Sequence, residues 1–154
     1  MSSSQGRGDV LSMSRGYSLV EAIMVVAILA MTAASLAPAA RRYRDSALVV
    51  AARESVVGLI AAAWLRALGK GNVAVHLGGD PFRVWVVEDD SVLLVRPLGN
   101  ELGVSLELSR GRDETRLAYD ALALGRIASE TLTFVRGHAR RSLIVSGYGR
   151  VRRP

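Results

Sequence analysis

Few residues in this chain have the chemistry of a catalyst. There is no cysteine, which removes thiolate nucleophiles, thiolate metal sites and disulfides. The two histidines, His76 and His138, have no carboxylate at ligand spacing beside them in the sequence. Asp89 and Asp90 are adjacent, so on a strand their carboxylates point to opposite faces and form no acid–base pair. No Gly-x-x-x-x-Gly-Lys phosphate loop is present, and Gly78-Gly79-Asp80-Pro81 is turn chemistry. The chain reads as a non-enzyme, with no metal, no cofactor and no small-molecule substrate.

Two other groups of residues put charge where charge has consequences. The first is Arg15-Gly16-Tyr17-Ser18-Leu19-Val20-Glu21, followed by 19 uncharged residues from Ala22 to Ala40. That length is close to the ~20 apolar residues that span a bilayer core. A carboxylate such as Glu21 beside this run is costly and ordinarily has a partner. Ser18 and Glu21 also have the spacing of a capping box, which satisfies free N–H groups at a helix start. Both roles stay open for Glu21. Gly16 leaves an extended backbone with no side chain to obstruct a peptidase cleft. Pro38, within the apolar run, removes one helix hydrogen bond.

The second group is basic. The net charge is +6, and Arg136 to Pro154 holds six arginines and no acid, so the remaining 14 basic and 14 acidic residues balance. Such a tail meets phosphate, anionic lipid or an acidic protein face. The plainer reading is a solvated edge strand blunted by arginines. Arg150, Arg152 and Arg153 are the candidate phosphate contacts, but Tyr148 is the one aromatic near them, which leaves little platform for base stacking.

The elements that must carry these residues follow from pattern. The chain has 154 residues, about one domain's worth. Half are hydrophobic and only 5% aromatic, so the apolar content is mostly Ala, Val and Leu, and a positive mean hydropathy of +0.26 beside 22% charge marks a lopsided chain. Nineteen of the 20 basic residues are arginine, with Lys70 the exception. Residues 1–16 are polar, Gly/Ser-rich and without apolar periodicity. Beyond Asp45 a stripe of Val49, Ala52, Val56, Leu59, Ile60, Ala63 and Ala67 recurs at helical spacing, until Gly69-Lys70-Gly71-Asn72 ends it. A helix from Tyr17 to Leu68 would be ~78 Å long, more than one small domain can cover.

After Asn72 the period becomes two. Strands are expected at Phe82–Val87 and Ser91–Arg96 around the acidic turn Glu88-Asp89-Asp90, then at Val104–Ser109, Thr115–Leu122, Glu130–Val135 and Arg141–Ser146, with a short strand from Arg150 after the turn Gly147-Tyr148-Gly149. The expected fold is α+β: one long N-terminal helix whose second half lays its stripe on an antiparallel sheet. The expected divisions are a leader at 1–16, a membrane half at 17–40, a soluble helical half at 41–68 and a β domain at 69–154.

The stretch from Arg15 to Glu21, with the apolar run behind it, resembles the cleavage and methylation signal of type IV pilins and pseudopilins, and Pro38 stands where that family commonly carries a helix-kinking proline. The ending Leu143-Ile144-Val145-Ser146-Gly147-Tyr148-Gly149-Arg150-Val151-Arg152 resembles the terminal strand of the GspH/FimT family of minor pseudopilins and minor pilins. The resemblance implies a prepilin peptidase cutting after Gly16, methylation of the new amine on Tyr17, and pairing of Glu21 with the N-terminal amine of a neighbouring subunit. It implies a subunit of a type II secretion pseudopilus, held in the inner membrane by a single span with its C-terminal domain in the periplasm, and with other pseudopilins or pilins as partners. The alternative within the family is a type IV minor pilin that binds DNA for uptake through Gly149, Arg150 and Arg152, with Arg153 added. An unrelated β domain on a single-pass anchor is a third reading.

An ordinary secretory signal competes, because Ala37-Pro38-Ala39 is an A-x-A-like triplet. The segment before such a cut would have 39 residues, against the usual ~15–30. Basic residues flank the apolar run on both sides, so charge counting does not fix orientation. The placement of leader and domain comes from the resemblance.

Overall fold

The computed structural model describes residues 18–125 and 129–154. The chain divides into two units, Met1–Pro38 and Ala39–Pro154. Helix α1, Leu19–Ala67, runs through the boundary between them without interruption at Pro38.

Within the second unit α1 buries Val49, Ala52, Val56, Ile60, Ala63 and Ala67. These are six of the seven stripe positions expected from the sequence, and Leu59 is partly buried against the same cluster. Spacings of three and four residues keep one face inward, while Arg53, Glu54 and Arg66 stay off it. The helix stops because the backbone turns left-handed at Gly69 (φ 81°), Gly71 (φ 74°) and Asn72 (φ 54°). The N–H groups of Lys70 and Gly71 fold back to the Ala67 carbonyl, and that of Gly69 reaches Ala121.

Among the described residues eight strands follow: β1 Val73–Gly78, β2 Arg83–Glu88, β3 Ser91–Arg96, β4 Ser105–Leu108, β5 Glu114–Tyr119, β6 Glu130–Arg136, β7 Ala139–Val145 and β8 Val151–Arg152. They form two four-stranded antiparallel sheets, in the order β3-β2-β1-β5 and β4-β6-β7-β8. The arrangement is the expected α+β class with one long N-terminal helix, but with two sheets where the sequence pattern predicts one. Two elements have no signal in the sequence pattern: β1, whose burial on both faces leaves no clean alternation, and a one-turn helix, α2 Leu98–Leu102. The strand expected at Thr115–Leu122 ends at Tyr119, where Ala121 and Leu122 turn.

The inner faces are set by register. Val75 lies between Val86 and Leu117, and Leu77 between Val84 and Thr115. In the second sheet Leu132 lies between Leu108 and Leu143, and Phe134 between Leu106 and Arg141. Phe134 meets Phe82 edge to face at 6.0 Å. One buried cluster draws on the α1 stripe and both sheets.

A buried carboxylate closes the second sheet. Glu130 is 1% exposed at the start of β6. Ser109 donates its hydroxyl to one carboxylate oxygen and Arg112 pairs with the other, so the charge enters the core with its partners.

Candidate functional site

Two regions carry the residues that the sequence singles out. The first is the N-terminal part of α1. Gly16 and Tyr17, the expected cleavage and methylation positions, and the leader 1–16 lie outside the described residues. Ser18 caps the helix: its hydroxyl accepts the Val20 N–H at 3.3 Å and its carbonyl accepts the Ala22 N–H. Only half of the expected capping box forms, because the Glu21 carboxylate has no hydrogen-bond or ion-pair partner among the described residues.

All residues from Ser18 to Arg44 are exposed. Eighteen consecutive residues here have a mean hydropathy of 2.3 and none of that window is buried, so one helix is long and apolar enough to cross a membrane. The hydroxyls in the run turn inward on the helix itself. Thr32 donates to the Ile28 and Leu29 carbonyls at 2.9 Å, and Ser35 to the Thr32 carbonyl at 2.8 Å. This is the arrangement that hydrocarbon demands, where no water is present to satisfy a hydroxyl. Pro38 contributes no N–H to the ladder, which leaves the Ala34 carbonyl without its usual donor.

The second region is the basic C-terminal stretch, which is less uncompensated in the fold than in the sequence. Arg136 donates to Asp45 at 2.8 Å and to the Leu102 carbonyl. Arg140 pairs with Glu107 at 3.1 Å. Arg153 makes a two-point contact with Glu54 of α1, at 2.9 and 3.2 Å. That contact holds the Glu54 carboxyl below its ordinary pKa and raises that of Arg153. Of the three arginines expected to meet phosphate, Arg153 is therefore engaged, while Arg150 and Arg152 are exposed with no ion pair among the described residues. The glycine of the terminal motif has a packing cause. Gly149 has φ 77°, and a Cβ there would stand 2.8 Å from the Tyr119 ring.

Two features escaped the sequence reading. His76 does have a carboxylate. Pairing of β1 with β5 brings Glu114, 38 residues on, to 3.0 Å from its Nδ1. The ring also stacks on Trp85 at 5.1 Å, with the Arg83 guanidinium over the same indole. This row lies on the outer face of the first sheet. The other is a groove of about 1230 Å³ between the second half of α1, the loop after β5 and the terminal turn. Arg150 and Arg152 line it together with Trp64 and Tyr148. Nothing in sequence spacing brings Trp64 to Tyr148.

No protein-family model, no curated protein and no solved structure matches the chain.

Proposed function

We propose that the chain is a pilin-like subunit: a minor pseudopilin of the GspH type that joins the periplasmic pseudopilus of a type II secretion system. Prepilin peptidase cuts after Gly16, Tyr17 is N-methylated, the first half of α1 holds the subunit in the inner membrane, and residues 69–154 stand in the periplasm. In the filament, the apolar half of α1 leaves lipid and packs on the same half of its neighbours.

The observation that carries this reading is the division of labour within α1. One half buries six of its seven stripe positions, and the other buries nothing while keeping the hydroxyls of Thr32 and Ser35 satisfied internally. Glu21, at the head of the uncovered half and without a partner among the described residues, is left for a cationic amine. The DNA-uptake reading rests on fewer groups than the sequence offered, since Arg136, Arg140 and Arg153 are spent on Asp45, Glu107 and Glu54.

Substitution of Glu21 tests assembly apart from insertion. Glu21→Ala enters the membrane as well as the parent, because a charge has been removed from the span. It fails to co-isolate with other pilin-like subunits and fails to support secretion. Normal assembly and secretion by Glu21→Ala would contradict the proposal and leave Glu21 as a helix-start residue worth at most ~1 kcal/mol.

A further inference from the structure

Strand β3 is unusual as a sheet edge. Its partner on one side is β2, no strand pairs with its other side among the described residues, and all six residues are exposed. Val92, Leu93, Leu94 and Val95 are four consecutive aliphatics, each 40–58% exposed. Edges are normally blunted by charge or brevity. The other three edges here obey that rule: β5 shows Glu114 and Arg116, β4 shows Ser105 and Glu107, and β8 has two residues. The turn that leads into β3 is acidic. Glu88 is occupied by Arg66 and Lys70 of its own chain, whereas Asp89 and Asp90 are exposed and have no partner for their carboxylates among the described residues.

The groove has the opposite character. Its walls are Val57, Ile60 and Trp64 from α1, Leu122 and Leu124 from the loop after β5, and Tyr148 from the terminal turn. Leu122 and Tyr148 are three-quarters exposed. Among the described residues no acidic side chain lines it, and the charges at its rim are the guanidiniums of Arg150 and Arg152, which have no ion pair there. Its occupant is therefore anionic at one end and aliphatic along its length. Ile60 is 16 residues beyond Arg44, about 24 Å along the helix from the basic cluster that closes the apolar run, which places the groove away from a headgroup layer.

We propose that this groove takes the acidic β2–β3 hairpin of a second copy of the chain, with Asp89 and Asp90 against Arg150 and Arg152 and the aliphatic row of β3 along the apolar walls. The contact is between copies. In one chain the two surfaces lie on opposite flanks of α1: Trp64 faces the groove and Arg66 holds the hairpin through Glu88, about 200° apart around the helix. β3 is also separated from β5, whose following loop lines the groove, by β2 and β1. Different patches on opposite flanks make a head-to-tail contact, which continues from copy to copy rather than closing as a dimer. The inference goes beyond the filament reading, because a domain anchored in any membrane would make the same contact.

The absence of cysteine makes the test clean. Full-length chains carrying Leu94→Cys and full-length chains carrying Tyr148→Cys, with different tags, are co-expressed, and membranes are oxidised. The expected result is a disulfide-linked pair of unlike tags. Arg150→Glu with Arg152→Glu on the Tyr148→Cys chain lowers its yield about tenfold. Asp89→Arg with Asp90→Arg on the other chain restores it. Equal melting temperatures of the variants show that the exposed substitutions leave the fold intact. No cross-link, as expected of a groove that takes lipid or a different protein, would overturn the proposal. So would a cross-link indifferent to charge reversal, or one formed as well by Leu94→Cys alone, which means β3 pairing with itself. Sequencing the N-terminus of the same samples separates this result from the pilin reading: a cross-link in uncut chains keeps the contact and removes the pseudopilin.

Discussion

The carboxylate of Glu54, on the second half of α1, grips the guanidinium of Arg153 through two contacts although 99 residues separate them. The contact ties the last residues of the chain to the helix that the apolar run begins. Because the hydrogen bonds from Arg153 hold Glu54 below the ordinary 4.5, the contact is at full strength above that pH and is lost as pH falls through the lower folded value. In the detergent-solubilised full chain, the Val151 amide and the Arg153 Nε–H should follow one NMR titration with a midpoint below 4.5. Arg153→Gln should abolish it, and an unchanged Val151 titration in that variant would show that the tether is not what is titrating.

The same pairing changes what a nucleic-acid experiment should find. If the tail meets phosphate, Arg150 and Arg152 do so and Arg153 does not. Substituting both with Gln should flatten the log–log salt slope of double-stranded DNA binding by about 2, while Arg153→Gln leaves it nearly unchanged. The secretion reading expects only weak binding at low salt, since charge without a stacking platform fades as salt screens it. Tight binding at physiological salt that disappears in the double variant would reverse the ranking in favour of DNA uptake.

Two glycines should respond in opposite directions. Gly149→Ala forces a side chain into a left-handed backbone and against the Tyr119 ring, and should cost about 2–4 kcal/mol. Gly58 sits in α1 with nothing within 4 Å of an added Cβ, so Gly58→Ala should stabilise by about 1 kcal/mol. Chemical unfolding of the two variants checks both signs at once.

Tyr119 is 3% exposed and its hydroxyl has no partner among the described residues. Burial pushes its pKa up to about 12 from an ordinary 10. The folded state favours the neutral phenol, so this contribution is whole below pH 10 and is lost as pH rises from 10 towards 12. The full loss is roughly 2–3 kcal/mol. Tyr119→Phe should remove that alkaline dependence without destabilising the protein at pH 7, because no hydrogen bond is given up. Unfolding curves from pH 8 to 12 for parent and variant provide the measurement.

The helical stripe was legible in the sequence because it repeats at three and four residues over 19 positions, and Gly69 and Gly71 mark its end. The hairpin β2–β3 is legible from Asp89-Asp90 between two short apolar runs; both turn residues have positive φ, 46° and 65°. The split into two sheets was not, since nothing in the alternation of Leu106 or Leu132 says which strand each will pair with. β1 was hidden by Ala74 and Gly78, which are buried on a sheet without looking like alternation. Arg153 looks free in the sequence because its partner, Glu54, lies 99 residues away. His76–Glu114 and the groove escaped for the same reason: both are made by pairings between distant segments, and local spacing carries no record of them.

A processed, pilin-like membrane subunit carries a mature N-terminus that the uncut chain lacks. Mass spectrometry of protein extracted from membranes should show a chain that begins at Tyr17 and is one methyl group heavier than its sequence, and a bulky residue in place of Gly16 should block the cut. A chain that still begins at Met1, or one that begins at Ala40 after cleavage behind Ala37-Pro38-Ala39, would contradict the account.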